Sequence, residues 1–246
     1  MPRARLEVWT MRVGALTEDD TGCWTDLLDE TETTAARRFV FARHRLQYIA
    51  AHVLTRVALG VAASVAPAAW RWTAGPHGKP AAWLGGAPAA VSFNLSHAEG
   101  IVGVAVLARA DADVGFDIEP FDRTVDLGVA DRYFRPEEVA WLAGLPAVER
   151  PRGFMRLWTL KEAFIKATGE GLSRDLASFW FETTPPRLHF ATAGTAAHGD
   201  WHFEQRVLDG DFVAAVGARA ASGEPAEQAW TEIDAAALQA AADRRR

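Results

Sequence analysis

Two blocks of helical pattern, each followed by strand-like runs, constrain this chain more than any other feature. Apolar residues recur at helical spacing over residues 33–63, and several strand-like runs follow. Helical patterns return at 135–145 and 152–168, and further strand-like runs follow them. We therefore predict an α+β fold of two similar subdomains, residues 1–122 and residues 123–246 with a C-terminal tail.

Composition places the chain among ordinary globular proteins and restricts its partners. Of its 246 residues, 49% are hydrophobic and 24% are charged. The single cysteine, Cys23, excludes an internal disulfide and favours a reducing compartment, so we expect a cytoplasmic protein. A net charge of -6 argues against general nucleic-acid binding. The N-terminus lacks the apolar core of a signal peptide, and we expect no membrane insertion.

The run "VGFDIEP" places two carboxylates, Asp117 and Glu119, in an apolar strand-like segment. Residues two apart in a strand share a face, so the two charges lie side by side. No Lys or Arg occurs in residues 110–122 to neutralise them. A solvated edge strand is one explanation. The other is a hard divalent cation such as Mg²⁺, which binds one or two carboxylates together with substrate phosphate oxygens.

The segment "LWTLKEAFIKATGEGL" sets Trp158, Glu162 and Lys166 in one row of a helix, with Lys161 one position away. Glu162 and Lys166 have the spacing of an ordinary surface ion pair. A third carboxylate beside a lysine is also what a metal and pyrophosphate site requires, because the ammonium meets the charge that develops on a leaving phosphate. Both interpretations stay open from these residues alone.

Two further segments, "SFNLSHAEG" and "GPHGKP", offer groups for an anion or a base edge. The first carries compact donors at a strand end, although a single histidine is often only a satisfied loop residue. In the second, glycine lets the backbone approach a ligand closely, lysine supplies a positive charge and proline stiffens the turn. The residues concerned are Asn94, Ser96, His97, Gly78, Lys79 and Pro80.

Other motifs give little support for a site. Neither a phosphate-binding G-x-x-x-x-G-K-[ST] loop nor a G-x-G-x-x-G dinucleotide motif occurs. A zinc set of His189, His198 and His202 lacks cysteine partners, and we do not predict it. No histidine lies near Cys23 in sequence, which argues against a thiol nucleophile.

Five segments in order resemble the 4'-phosphopantetheinyl transferases of the long, surfactin-synthetase-activating type. They are "GPHGKP", "FNLSHAEG", "VGFDIEP", "RYFRPEEVAWL" and "LWTLKEAFIKATGEGL", within residues 37–181. The resemblance implies a pseudo-dimer of two α+β halves with the active site in the cleft between them. It also implies an enzyme that transfers phosphopantetheine from coenzyme A to a serine of an apo carrier protein and releases adenosine 3',5'-bisphosphate.

The same resemblance assigns roles at the phosphates. Asp117, Glu119 and Glu162 would hold Mg²⁺, with Mn²⁺ as the alternative metal. Lys166 would contact the pyrophosphate, and Lys161 would lie close to the same phosphates. For the base that deprotonates the acceptor serine, the motif "RYFRPEE" favours Glu138, with Glu162 as the competing assignment and Glu137 as a lesser one.

The nucleotide of coenzyme A would be held by the residues of the first half. Lys79, Ser96 and His97 resemble the positions that contact the nucleotide and its 3'-phosphate, with Gly78, Pro80 and Asn94 beside them. The N-terminal pattern departs from the family, because Glu32 and Ala35 stand where some relatives have basic residues. Arg37, Arg38 and Arg43 are the candidate substitutes, and Tyr48 replaces a small hydroxyl residue in the helix.

The implied partners are apo carrier domains of polyketide, nonribosomal peptide or fatty acid synthases, and we expect a monomer. Two other functions remain compatible with the motifs. One is a non-catalytic protein that binds coenzyme A or carrier proteins, and the other is a metal-dependent phosphohydrolase that passes the phosphorus centre to water.

Overall fold

The structure is a computed structural model that describes residues 5–74, 79–191, 200–220 and 226–244. As predicted, a block of helices is followed by a block of strands, and this arrangement occurs twice along the chain. The helices are α1 (Glu18–Gly22), α2 (Glu30–Arg37), α3 (Ala42–Ala63), α4 (Gly128–Tyr133), α5 (Pro136–Gly144), α6 (Arg150–Thr168) and α7 (Ala235–Asp243). The strands are β1 (Arg5–Arg12), β2 (Arg71–Ala74), β3 (Pro80–Leu84), β4 (Ala87–Pro88), β5 (Ser92–Ala98), β6 (Ile101–Leu107), β7 (Ala112–Pro120), β8 (Phe179–Thr183), β9 (Pro186–Phe190), β10 (His202–Leu208), β11 (Phe212–Ala220) and β12 (Glu227–Glu232). The predicted α+β class is confirmed.

The chain divides into two compact units, but not where the sequence placed the boundary. The first unit contains residues 1–112 and 226–246, and the second contains residues 113–225. The C-terminal tail belongs to the first unit because β12 pairs in parallel with β1 and α7 buries Leu238 in the core of that unit. β7 belongs to the second because it lies beside β11 in a three-stranded sheet.

The first unit packs α3 against a sheet with the strand order β12-β1-β6-β5. The predicted single helix over 33–63 is two helices. A capping box between Asp29 and Glu32 starts α2, and Phe41 adopts an extended conformation before α3 begins. α3 ends at Ser64, which has a left-handed backbone conformation. Most residues of α3 from Leu46 to Gly60 are buried in the core of this unit.

In the described part of the chain, α3 is the one helix long and apolar enough to cross a membrane by length and composition. Within its most apolar window, 67% is buried inside the protein. That burial is the pattern of a core helix, and no membrane role follows from it.

The second unit packs α6 against a sheet with the strand order β10-β11-β7, and β8 and β9 form an antiparallel pair. The predicted helices at 135–145 and 152–168 are confirmed as α5 and α6. α5 starts at Pro136, and α6 stops at Gly169, whose φ is 73°. The core of this unit is mainly aromatic and aliphatic, with Phe164 and Phe179 fully buried.

Candidate active site

β7 brings its two carboxylates to the face that packs against α6. Side chains alternate along a strand, so Gly115, Asp117 and Glu119 share that face. A Cβ atom added at Gly115 would lie 1.9 Å from the Ala163 carbonyl oxygen and 2.5 Å from the Ala167 amide nitrogen. Glycine therefore allows the strand and the helix to approach closely, which sets the carboxylates beside α6.

Each carboxylate of β7 has a basic neighbour. Lys166 Nζ donates to Asp117 Oδ1 at 2.6 Å, and Arg123 Nη1 donates to Glu119 Oε1 at 2.8 Å. The sequence argument that no basic residue neutralises this pair is therefore incomplete. It considered only residues 110–122, whereas one partner comes from α6 and the other follows that segment directly.

Glu162 lies on α6 beside these two carboxylates, and its electrostatic environment is unfavourable for a negative charge. Burial, together with the negative charges of Asp117 and Glu119, raises the pKa of Glu162 to about 7, although Lys166 opposes the shift. Burial and the charge of Asp117 also raise the pKa of Glu119, and Arg123 opposes that shift. The two basic side chains thus compensate three carboxylates only in part.

The three carboxylates suit a hard divalent cation by their chemistry, because added positive charge stabilises the ionised forms that burial disfavours. Within the described residues, no three His, Cys, Asp or Glu side chains are arranged as a formed metal site. Lys166 and Arg123 donate hydrogen bonds to carboxylate oxygen atoms that a bound cation would coordinate. The metal set Asp117, Glu119 and Glu162 stays a prediction that fits the donor chemistry.

Glu138 and Lys161 are placed in the core of the second unit. Lys161 Nζ lies 2.9 Å from Glu138 Oε2, and both side chains are almost completely buried. Lys161 also donates to the carbonyl oxygens of Leu176 and Phe179. Burial raises the pKa of Glu138 and lowers the pKa of Lys161, while the attraction between the two groups opposes both shifts.

This pair is arranged to support the fold. Glu138 accepts from the backbone amides of Arg135 and Phe181, so it caps α5 and ties that helix to β8. The burial argues against the predicted roles of Glu138 as base and of Lys161 as a phosphate contact. Glu137 is exposed and pairs with Arg135. The capping position of Glu138, two residues after Pro136, is the sequence signal for this structural role.

The candidates for nucleotide binding lie in the first unit, on β5 and near it. Asn94 and Ser96 are buried and share one face of β5, whereas His97 is exposed on the opposite face. The three predicted donors therefore do not point the same way. Lys79 is half-buried directly before Pro80, which begins β3. Gly78 lies outside the described residues.

The three N-terminal arginines are exposed. Arg37 is the last residue of α2 and Arg38 its C-cap, whereas Arg43 lies in the first turn of α3. Arg43 Nε is 4.0 Å from Glu99 Oε1, on the turn that follows His97. Arg43 is therefore the arginine that the structure brings to the β5–β6 turn.

Glu32, the residue that departs from the family pattern, has a structural role that sequence reasoning missed. Its carboxylate accepts from Arg56 Nη2 at 2.6 Å and from Trp72 Nε1 at 2.5 Å, and it lies 2.7 Å from His52 Nδ1. Its side chain is 3% exposed. The D-x-x-E spacing from Asp29 to Glu32 was the available signal, because it marks a capping box.

The histidines and the cysteine set aside on sequence grounds lie apart from the carboxylates of β7 along the chain. His189 stacks on Trp180 at 4.0 Å between ring centroids, and His202 begins β10. His198 lies outside the described residues. The exposed Cys23 contacts Gln239 through its sulfur atom.

Comparison with known proteins agrees with the motifs. The model of the 4'-phosphopantetheinyl transferase superfamily matches residues 113–217, which include all three predicted metal carboxylates. The 4'-phosphopantetheinyl transferase HetI from Nostoc sp. is 33% identical over 192 residues, 77% of each chain.

Two Bacillus relatives match over a shorter range. The 4'-phosphopantetheinyl transferase psf-1 from Bacillus pumilus is 46% identical over 88 residues, 35% of this chain and 36% of its own. The transferase Sfp from Bacillus subtilis is 38% identical over 88 residues, 35% of this chain and 37% of its own. The resemblance drawn from five short motifs is confirmed, and the chain belongs to the 4'-phosphopantetheinyl transferase superfamily.

Proposed function

We propose that this transferase moves 4'-phosphopantetheine from coenzyme A to a serine hydroxyl of an apo carrier protein, with Mg²⁺ as cofactor and adenosine 3',5'-bisphosphate as the leaving group. The observation that carries the proposal is the cluster of Asp117, Glu119 and Glu162 beside Lys166. Two basic side chains compensate three carboxylates only in part, so the cluster attracts a further cation.

The reaction forms a bond between the serine oxygen and the phosphorus atom of the phosphopantetheine. The bond from that phosphorus to the bisphosphate breaks, and the serine proton passes to a base. Bound Mg²⁺ would neutralise charge on the pyrophosphate oxygens, which is the usual contribution of a metal to phosphoryl transfer. Asp117, Glu119 and Glu162 are the residues that would hold it.

Lys166 and Glu162 are the groups of this chain that act on the reacting atoms. The Lys166 side chain is 28% exposed, so its ammonium is accessible to a phosphate oxygen while it stays near Asp117. It stabilises the charge that develops on the departing phosphate. Glu162 is favoured over Glu138 as the base, because Glu138 is buried in its pair with Lys161.

The acceptors proposed are carrier domains of polyketide, nonribosomal peptide or fatty acid synthases. The proposed location is the cytoplasm, which accords with a single cysteine, Cys23, that forms no disulfide, and we propose that the enzyme acts as a monomer. The chain carries a net charge of -6, so docking of an acidic carrier depends on local basic and apolar residues.

The direct test is incubation with coenzyme A, Mg²⁺ and a panel of apo carrier proteins, read by intact-protein mass spectrometry. We expect one phosphopantetheine mass on a single serine of at least one carrier. For substitutions within the carboxylate cluster, Glu204→Gln is the control, because Glu204 pairs with exposed Arg206 away from the cluster in sequence. Binding of coenzyme A without any adduct would support a non-catalytic protein, and bisphosphate release without an acceptor would support a phosphohydrolase.

A further inference from the structure

Gln47 joins α3 to the end of β5. Its Nε2 atom lies 3.1 Å from His97 Nδ1, and its Oε1 atom accepts from the backbone amide of Gly100 at 3.3 Å. Gln47 is half-buried, whereas the His97 side chain is exposed. A single amide group therefore contacts both the imidazole and the turn that follows it.

The contact with Gly100 determines which way the amide of Gln47 is oriented. A backbone N–H can only donate, so the atom facing Gly100 must be the amide oxygen. Rotating the amide by 180° would place its NH₂ group against the N–H of Gly100 and lose that hydrogen bond. The NH₂ group therefore faces His97 and donates to Nδ1.

An imidazole nitrogen that accepts a hydrogen bond carries no proton. We infer that Gln47 holds His97 in the neutral tautomer with its proton on Nε2, so that the imidazole offers an N–H donor to a ligand phosphate. Gln47 is thus a positioning residue that acts through His97. The role at a phosphate rests on the proposed function, whereas the tautomer is inferred from the contacts of Gln47 with His97 and Gly100.

His52, also in the first unit, provides the opposite arrangement. Its Nδ1 atom lies 2.7 Å from Glu32 Oε1, and a carboxylate accepts from an N–H group. His52 therefore carries its proton on Nδ1. The two histidines give an internal comparison in which the partner of Nδ1 is an amide donor in one and a carboxylate acceptor in the other.

The first experiment measures the tautomers directly, without coenzyme A. We would record long-range ¹H–¹⁵N spectra of the imidazoles at a pH of about 8.5, two units above the ordinary histidine pKa of about 6.5. We expect the proton of His97 on Nε2 and that of His52 on Nδ1. Gln47→Glu should move the proton of His97 to Nδ1, and Gln47→Leu should give a mixture, with His52 unchanged in both.

The second experiment measures binding of coenzyme A and of 3'-dephospho-coenzyme A by calorimetry. Gln47→Leu should weaken binding of coenzyme A about tenfold, the loss typical of one hydrogen bond to a charged group, with a smaller change for the dephospho form. Gln239→Leu is the matched control, since Gln239 is also half-buried in the first unit and contacts Cys23 and Asp243.

The outcomes separate the inference from the proposed function. A proton on Nδ1 of His97 in the unsubstituted protein would overturn the inference even if transfer is normal. The same holds if Gln47→Leu leaves both the tautomer and the affinity for coenzyme A unchanged. A confirmed tautomer with no transfer to any carrier would instead count against the proposed function.

Discussion

Glu32 in the first unit is buried and Glu162 in the second is half-buried, but the groups around them shift the two pKa values in opposite directions. Burial alone would raise the pKa of Glu32, yet hydrogen bonds from His52 and Arg56 outweigh it and lower the pKa to about 2. Around Glu162, burial is reinforced by Asp117 and Glu119, and the pKa rises to about 7.

The difference distinguishes a carboxylate that supports the fold from one that is suited to bind a ligand. The partners of Glu32 satisfy both of its oxygens, so its charge helps to join α2, α3 and β2. Glu162 shares its surroundings with two other carboxylates, and Lys166 and Arg123 offset their negative charge only in part. Further positive charge bound at this site would offset the cost that burial and the two neighbouring carboxylates impose on ionised Glu162.

Substitution of Glu162 should give the largest effect. We expect Glu162→Gln, and likewise Asp117→Ala, to lower the transfer rate at least about a thousandfold, because charge neutralisation carries most of the catalysis of phosphoryl transfer. Stability should change little in Glu162→Gln, since an unfavourable charge is removed. Transfer assays check the predicted loss of rate, and thermal unfolding of the same samples checks the stability. Near-normal transfer would remove the substituted residue from the proposed site.

The corresponding change at Glu32 should affect stability more than chemistry. Glu32→Gln removes the closer of the two carboxylates that pair with buried Arg56 and leaves only Asp29, at 3.3 Å, so we expect the free energy of unfolding to fall by about 3 kcal/mol. Urea denaturation measures this loss. Asp111→Asn is the control, because Asp111 pairs with Arg109 at the surface, where water screens the pair, and its loss of stability should be much smaller. Equal losses in the two variants would contradict the distinction.

The pH dependence of stability should identify the charge of Glu32 as the cause. A carboxyl group whose pKa falls from 4.5 to about 2 on folding stabilises the protein above pH 4.5, and the contribution disappears as the pH falls towards 2. It amounts to about 3 kcal/mol. The difference in unfolding free energy between the unsubstituted protein and Glu32→Gln should shrink over this range. A difference independent of pH would point to packing instead.

Gly115→Ala tests whether close packing holds the carboxylates of β7 beside α6. The new Cβ atom would overlap the Ala163 carbonyl, so the helix must shift, at a cost of about 1–3 kcal/mol in unfolding free energy. Transfer should fall as well, because Asp117 moves relative to Lys166. Gly144→Ala, at a position with open space, is the control. Unchanged transfer in Gly115→Ala would show that the site tolerates this shift.

Arg123→Gln should give the smallest effect on stability, less than about 1 kcal/mol, because the Arg123 side chain is 54% exposed. It also removes the cation that competes for Glu119. We therefore expect half-maximal transfer at a Mg²⁺ concentration lower by about two- to fivefold. An increase in the Mg²⁺ requirement would mean that Arg123 assists metal binding.

The features that depend on the local pattern of residues could be predicted from the sequence alone. The helices α5 and α6, the shared face of Asp117 and Glu119, and the row of Glu162 and Lys166 follow from the periods of 3.6 and 2 residues, which a chain carries in its own order. Five ordered motifs were sufficient to identify the family, because their residue types and order match it along much of the chain.

Which side chains meet across long separations in sequence follows from the packing of the folded chain and not from the local pattern. Lys166 contacts Asp117 across 49 positions, Glu138 is enclosed with Lys161, and β12 returns to pair with β1. Gln47 and His97 are likewise 50 positions apart. A residue's charge and spacing are local properties, whereas its burial and its partner depend on how the elements pack. A glutamate that supports the fold and one that is suited to bind a ligand therefore look alike until the chain is folded.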